Sequence, residues 1–274
     1  MRKTRVEIDG EVYNGEVVDA DVAVDVDTGV GEDVDEDVGG KDEFYGGTTV
    51  NVDGSISVVG EDCTLLAPSE PSAMYCVGRN YVETLDQMDY DRPERPDFFI
   101  KPPVSVHPPG APVGYPGFTD ELTYAGELAV VIGEKCKDID ADIEAVDGVI
   151  EGFTIMNDLD ALDQDGRTAR KAFDGSGPLG PWIETEVSVS DVREGIEMET
   201  YVGGEKRQSA STEQMIFDVA EIISFLSRRF TFHPGDVVAF GSPSNPGLVE
   251  TGDEVVITYD GVGTLYNEIT ETPR

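Results

Sequence analysis

From residue 73 onward, the chain consists of short apolar runs separated by loops rich in proline and glycine. Runs this short favour buried strands, because helices of globular proteins usually need about 10 residues or more. The most apolar runs are 127–132, 149–156 and 237–240. Segments 91–96 and 101–116 contain too many prolines for a central strand, so we expect loops or edge strands there. The pattern predicts a mixed, mainly β fold with few helices.

Two β-hairpins are predicted before this region. Segments 5–18 and 50–59 each alternate apolar and polar residues around an Asp-Gly pair, which favours a tight turn between two strands. Prolines near residue 70 then mark a boundary. We therefore expect a small, acidic, β-rich N-terminal region at 1–70 and a larger second domain at 71–274.

Residues 19–43 carry eleven acidic side chains and a single lysine. Their glycine and aspartate content favours a loop or a ragged edge hairpin, with an acidic interaction tail as the alternative. Asp25, Asp27 and Glu36 match calcium-loop positions one, three and twelve. A glycine and a valine stand where a third oxygen ligand and the turn glycine belong, so calcium binding is disfavoured.

One helix is predicted near the end of the chain. Ser211 is placed as its N-cap, and Gln214 three residues later would complete a capping box. The apolar residues that follow at helical spacing are Met215, Ile216, Val219, Ile222, Ile223 and Leu226. We expect this helix to pack on the core and assign it no chemistry.

The chain is strongly acidic, with 57 Asp and Glu against 19 Lys and Arg and a formal net charge of −38. The acids are spread along the whole chain, and only seven of the basic residues are lysines. Molar salt would screen the resulting self-repulsion, because the Debye length then falls to ~3 Å. The composition is typical of halophilic, cytoplasmic proteins, with an ordinary acidic protein as the alternative, and says nothing about the substrate.

Composition also excludes several classes of protein. The acidity opposes binding to nucleic-acid phosphates. No apolar run reaches the ~18 residues of a membrane span, and no secretory leader is visible at the N-terminus. Cys63, Cys76 and Cys136 are too few and too scattered for a disulfide scaffold or a zinc cluster.

Ten phrases follow one another in a fixed order along the larger domain. They are CVGRNY at 76–81, PDFFIK at 96–101, GELAVVIG at 126–133, GFTIMND at 152–158, KAFD at 171–174, GPLGPW at 177–182, QMIF at 214–217, PGDVVAFGSP at 234–243, GDEVV at 252–256 and GVGTL at 261–265. In this order and spacing they resemble the fumarylacetoacetate hydrolase family. The resemblance covers roughly residues 74–268.

The resemblance implies a β-sandwich roll, paired as a homodimer, that holds Mg²⁺ or Mn²⁺. It also implies action on 2-oxo or 1,3-dicarbonyl acids by hydrolysis, decarboxylation, isomerisation or dehydration. These reactions share an enolate, whose charge the metal stabilises at the carbonyl oxygen.

For the metal, the resemblance implies three carboxylates, two in a Glu-x-Glu pair and one in an Asn-Asp pair. Glu127 and Asp158 match the second and third ligands, whereas the first position is Ala125. A methyl group cannot bind metal, so the site is expected to be weakened or lost. Asp120 or Glu121 remains open as a substitute.

Other chemical positions depart from the family's pattern. Thr84 and Gln87 stand where hydrolytic members carry the His and Glu that activate water, and neither is a general base near neutral pH. Leu162 replaces the family's substrate-binding Arg, and Asp165 replaces a Gln. The resemblance therefore disfavours hydrolysis by water attack.

The two histidines of the chain are not at those positions. His107 lies in a proline-rich segment and His233 in a His-Pro-Gly-Asp sequence. We expect surface turns at both.

Four positions keep or replace the family's chemistry. Lys171 matches the active-site lysine and is the expected catalytic proton carrier, with a surface ion pair as the alternative. Tyr81 and Ser242 match substrate-binding positions, with Ser in place of a more usual Thr. Arg79, next to the site loop, is a candidate replacement for the arginine lost at Leu162, again with a purely structural alternative.

Three functions stay open at this point. The first is an enzyme of enolate chemistry on a 2-oxo acid, using Lys171 for decarboxylation, tautomerisation or dehydration. The second is a catalytically inactive relative that binds a ligand or a protein partner. The third, hydrolysis with rearranged groups, is least supported.

Overall fold

The computed structural model describes residues 1–20, 44–244 and 246–272. Nearly all of the acidic segment, including the calcium-loop residues Asp25, Asp27 and Glu36, lies outside the described residues. Within them the fold is mainly β, as the sequence predicts. None of the helices in these ranges is long and apolar enough to cross a bilayer.

Nineteen strands account for most of the regular secondary structure among the described residues. They are β1 Arg2–Ile8, β2 Glu11–Asp19, β3 Thr49–Val52, β4 Ser55–Val58, β5 Thr64–Leu66, β6 Met74–Gly78, β7 Asp97–Lys101, β8 Val106–His107, β9 Val113–Tyr115, β10 Leu122–Thr123, β11 Gly126–Ile132, β12 Ile150–Asn157, β13 Asp160–Ala161, β14 Gly177–Glu184, β15 Glu197–Val202, β16 Glu205–Ser211, β17 Val237–Ala239, β18 Glu254–Tyr259 and β19 Gly263–Glu271.

Five α-helices and two 3₁₀ turns complete the described elements. The helices are α1 Val82–Met88, α2 Ile143–Asp147, α3 Arg167–Lys171, α4 Val189–Glu194 and α5 Val219–Ser227. The 3₁₀ turns are Pro103–Ser105 and Thr212–Gln214.

Two large sheets organise these strands. The main sheet has twelve strands, ordered β4-β3-β2-β1-β14-β12-β11-β17-β6-β7, with β5 beside β1 and β8 beside β14. The second sheet has five strands in the order β16-β15-β18-β19-β9. A two-stranded pair, β10 with β13, is not joined to either sheet by strand pairing.

Both hairpins predicted in the N-terminal region are confirmed. Asp9 and Gly10 have φ angles of 52° and 83°, and Asp53 and Gly54 have 49° and 87°. Positive φ at both central residues is the geometry that Asp-Gly supplies between twisted strands. β1 also pairs with β14, so the N-terminal hairpin extends the main sheet. The domain boundary at 70/71 stays a prediction.

The predicted central strands are confirmed as β11, β12 and β17. β11 is buried along its whole length because both faces of the sheet are covered. Leu128 and Val130 face one apolar cluster, and Ala129 and Val131 face another. Alternation of side chains across a strand thus turns a continuous apolar run into two buried faces.

The predicted helix begins later than the sequence suggests. Ser211 and Gln214 do form a capping box, but the box caps only a 3₁₀ turn. Met215 then has ψ 139°, an extended conformation that interrupts the helical path. Helix α5 begins after Asp218, which forms a second capping box with Glu221.

Candidate active site

The centre of the main sheet brings two carboxylates together. β11 and β12 pair antiparallel, so Glu127 on β11 lies opposite the end of β12, and Asp158 follows directly after that strand. The backbone N–H of Asp158 donates to the carbonyl of Ala125 at 2.9 Å, which fixes the chain at this point. Glu127 and Asp158 are 3% and 2% exposed. The structure therefore brings together the two acids that the resemblance selects.

A buried lysine compensates one of these acids. The ammonium nitrogen of Lys101, at the end of β7, lies 2.9 Å from Oδ1 of Asp158, and the lysine side chain is fully buried. Lys101 also donates to the carbonyls of Leu159, Lys171 and Ser176 at 3.1, 2.6 and 2.8 Å. With the Ser176 hydroxyl at 3.2 Å, five oxygens surround this ammonium and hold Lys101 in place as a structural cation.

A second lysine meets the same carboxylate from the solvent side. Lys171, at the end of α3, donates to Oδ2 of Asp158 and lies 3.2 Å from Oδ2 of Asp160. Arg170 in turn holds Asp160 by two hydrogen bonds of 2.8 and 2.7 Å. The Lys171 side chain is 16% exposed, whereas the Lys101 side chain is fully buried, so Lys171 is the more exposed of the two lysines.

The charges of the cluster shift one another's pKa values. Burial and the charge of Asp158 raise the pKa of Glu127 to about 8. Burial opposes ionisation of Asp158, but Lys101 and Lys171 together lower its pKa. Burial likewise opposes charge on Lys171, but Asp158 and Asp160 raise its pKa. Lys171 is therefore held as an ammonium beside an ionised Asp158.

The donor set does not fit a resident divalent metal. Ala125 offers no ligand, and the described residues contain no group of three His, Cys, Asp or Glu side chains that could hold a metal ion. Each oxygen of Asp158 already contacts an ammonium. Asp120 and Glu121 are exposed, so neither substitutes for the missing ligand inside the cluster. Two lysines supply the positive charge that balances Asp158.

The positions predicted on and near α1 lie close to the loop after β17. The hydroxyl of Thr84 donates to the carbonyl of Ser242 at 3.1 Å. The hydroxyl of Ser242 accepts from the buried Gln208 at 2.8 Å. Tyr81 is buried, and burial together with the charge of Glu127 raises the pKa of its hydroxyl. The side chain of Gln87, also on α1, lies outside the described residues.

Three further predicted positions lie at the surface. Leu162 is 40% exposed, and Asp165 is exposed in the loop before α3. Arg79 extends to Asp97 rather than to the buried carboxylates, with 3.4 Å between its Nη2 and Oδ2 of Asp97. Its role as a replacement for the lost arginine stays a prediction.

The histidines have different surroundings. His107 is half-buried in β8, which pairs with β14, so the expected surface turn is wrong there. Its Nε2 lies 3.1 Å from the carbonyl of Pro112. His233 does lie in a turn, where its backbone N–H donates to Asp236 at 2.8 Å.

Sequence reasoning missed three members of the cluster, namely Lys101, Asp160 and Arg170. The available signals were weak. Lys101 is one of only seven lysines, and Asp160 and Arg170 stand next to residues already selected. Nothing local in the sequence places Lys101 against Asp158, because that contact depends on where β7 and the end of β12 lie in the main sheet.

The described residues form a mainly β fold with a buried carboxylate–lysine cluster at the centre of its main sheet. The protein-family model described as Fumarylacetoacetate (FAA) hydrolase C-terminal matches residues 73–270 of this chain. The chain belongs to this family, as its ordered phrases predict.

Known relatives agree with this membership. The oxaloacetate tautomerase YisK of Bacillus subtilis is 38% identical over 216 residues, 74% of this chain and 71% of the relative. The structure of 5-carboxymethyl-2-hydroxymuconate delta-isomerase from Mycobacterium smegmatis is 31% identical with a TM-score of 0.80, covering 100% of both chains. Fumarylpyruvate hydrolase from Pseudomonas aeruginosa, solved with Mn²⁺ and pyruvate, is 32% identical with a TM-score of 0.67, covering 76% of this chain and 92% of that one.

Proposed function

We propose that this protein is an enzyme of keto–enol chemistry on a short 2-oxo acid, as a tautomerase, isomerase or decarboxylase. The observation that carries the proposal is the position of Lys171. Its ammonium contacts both Asp158 and Asp160, and its side chain is 16% exposed, whereas that of Lys101 is fully buried. Relatives that are named for oxaloacetate tautomerase and isomerase activity support the same reaction class.

Lys171 would stabilise the enolate. When a 2-oxo acid loses a proton or carbon dioxide next to its carbonyl, negative charge develops on the carbonyl oxygen. An ammonium already fixed by two carboxylates presents its remaining N–H to that oxygen without reorganising, which is the most effective form of electrostatic catalysis. The same N–H can deliver a proton to the oxygen when the enol forms.

Hydrolysis by water attack is disfavoured by the same geometry. Thr84 uses its hydroxyl as a donor to the backbone of the Ser242 loop, and a threonine does not accept a proton from water near neutral pH. The substrate's own enolate is therefore the intermediate that this site suits.

The proposal is tested by following the decay of enol oxaloacetate in molar KCl. We expect the wild-type protein to accelerate ketonisation over buffer, and Lys171→Ala to lower kcat by about 100-fold, the usual cost of one such donor. Lys206→Ala is the matched control, because Lys206 forms a surface ion pair with Glu199 at 2.6 Å. Thermal unfolding verifies that each variant folds. Unchanged kcat in folded Lys171→Ala would refute the role of the lysine.

One alternative has a specific observation in its favour. Ala125, Thr84 and Leu162 have all lost the groups that the family uses for chemistry, which suits a binding protein without turnover. Such a protein would bind 2-oxo acids and leave the enol decay at the buffer rate. The rate of enol decay with wild-type protein, compared with buffer alone, therefore distinguishes an enzyme from a binding protein.

A further inference from the structure

The outer edge of the candidate site carries two arginines that share one carboxylate. Nη2 of Arg79 and Nη2 of Arg167 lie 3.4 and 2.8 Å from the same oxygen, Oδ2 of Asp97. Among the side chains that the structure describes, no other carboxylate lies within ion-pair distance of either guanidinium. Two guanidinium groups thus share a single carboxylate as their ion-pair partner, in a chain whose formal charge is −38.

This edge is aligned with the buried cluster. Asp97, Phe99 and Lys101 alternate along β7 and therefore share one face of the strand. Arg167 and Lys171 are four residues apart on α3, which places them on one face of that helix. The exposed fraction of the cationic side chains falls from 37% at Arg167 to 16% at Lys171 and 0% at Lys101. The cations thus form a line from the surface to Asp158.

Phe99 connects the edge to the site. Its ring centroid lies 5.6 Å from Cζ of Arg167 and 5.0 Å from Nζ of Lys171. One helical turn, about 6 Å along the axis, separates the two basic residues on α3. That spacing is on the scale of a short diacid, so one carboxylate can meet Lys171 while the other meets a guanidinium.

The backbone of Arg79 is also unusual. Its φ of 61° lies in the left-handed region, which long side chains rarely adopt. The guanidinium carbon lies 4.4 Å from the centroid of the Tyr90 ring, which holds the side chain over an aromatic face. Unusual backbone conformations of this kind concentrate at binding sites and clamps.

We propose that Arg79 and Arg167 form a carboxylate-binding rim that makes the site select dicarboxylic over monocarboxylic 2-oxo acids. The planar guanidinium groups can bind a carboxylate through two parallel hydrogen bonds, at the expense of their shared contact with Asp97. The rim would supply the recognition that Leu162 cannot. The inference rests on the proposed function, because that function identifies the substrate as a 2-oxo acid, and it adds which 2-oxo acids the site selects.

Binding of unreactive acids tests the rim apart from catalysis. Succinate and butyrate have the same chain length and differ by one carboxylate. We expect wild-type protein to bind succinate about 10-fold tighter by calorimetry, the effect of one charge-assisted contact. The double variant Arg79→Gln/Arg167→Gln should lose this preference. Arg193→Gln should keep it, because Arg193 pairs with Asp218 at 3.7 Å in a separate surface contact.

A second variant keeps the inference falsifiable if the double variant does not fold. Asp97→Asn removes the competing negative charge and leaves both guanidinium groups in place, so succinate should bind tighter than to wild type. Unchanged or weaker binding would overturn the rim, as would wild-type protein that binds butyrate as tightly as succinate.

Turnover separates failure of the rim from failure of the proposed function. With oxaloacetate, the double variant should raise KM about 10-fold and leave kcat near its wild-type value. An unchanged KM in an active double variant would overturn the rim and leave the proposed function standing. No turnover in wild type, together with an arginine-dependent succinate preference, would refute the proposed function and support the rim.

Discussion

At the scale of single residues, the negative charge of the candidate site is compensated by lysine side chains of the same chain. Glu127 and Asp158 are two buried acidic side chains, and Lys101 and Lys171 are two cations that contact Asp158. Burying a charge without a partner is costly, so each lysine stabilises the cluster that would otherwise attract an external cation. The family's first carboxylate position is Ala125 here, and two lysines contact Asp158, so both features lower the affinity of the site for a cation.

A third carboxylate should restore metal affinity. We predict that Ala125→Glu raises Mn²⁺ affinity by at least about 10-fold in calorimetric titrations. Substituting residues that only hydrogen-bond to metal ligands typically changes metal affinity by about 10-fold or more, and a direct ligand should have at least that effect. Leu162→Glu is the control, because it adds the same charge at a position that is 40% exposed. Wild-type protein that binds Mn²⁺ as tightly as Ala125→Glu would contradict the prediction.

At the scale of elements, two capping signals compete along one stretch of sequence. Ser211 with Gln214 and Asp218 with Glu221 are both capping boxes, and apolar residues follow each at helical spacing. Periodicity alone could not decide between them. The first box caps a single 3₁₀ turn, because the chain becomes extended at Met215 before α5 begins.

Removing the second cap should destabilise α5. Oδ1 of Asp218 accepts from the backbone N–H of Glu221 at 2.8 Å. We predict that Asp218→Ala lowers the free energy of unfolding by about 1 kcal/mol, whereas Asp218→Asn, which keeps an acceptor oxygen, changes it little. Denaturant unfolding measures both. Equal losses in the two variants would indicate that charge, rather than the capping hydrogen bond, stabilises this end.

The sequence predicts the fold best where its signals are local. Asp-Gly turns specify both N-terminal hairpins, and continuous apolar runs specify β11 and β12. The neighbours of a strand are not local information, since β1 pairs with β14 across more than half of the chain, as in Arg2 opposite Glu184. The cluster also depends on contacts between distant parts of the chain. The resemblance predicts Lys171, but no local signal predicts Lys101.

At the scale of the whole molecule, charge is unevenly arranged. The chain has 19 basic residues, and several of them gather around one small site while acids are spread over the rest of the sequence. These basic residues are Arg79, Lys101, Arg167, Arg170 and Lys171. These cations would attract an anion locally, whereas the net negative charge of the whole chain repels it at longer range. Salt should be present in every assay because it screens the long-range repulsion. Dimerisation stays a prediction of the family resemblance.

The most direct test of this account is the rate of enol oxaloacetate decay with metal-free wild-type protein in molar KCl and EDTA. If the lysines have taken over the charge that stabilises the enolate, the protein accelerates ketonisation in EDTA, and added Mn²⁺ in excess of EDTA leaves the rate unchanged. A protein that is inactive in EDTA and becomes active on adding Mn²⁺ would contradict the account, because Lys101 and Lys171 would then not replace a metal ion.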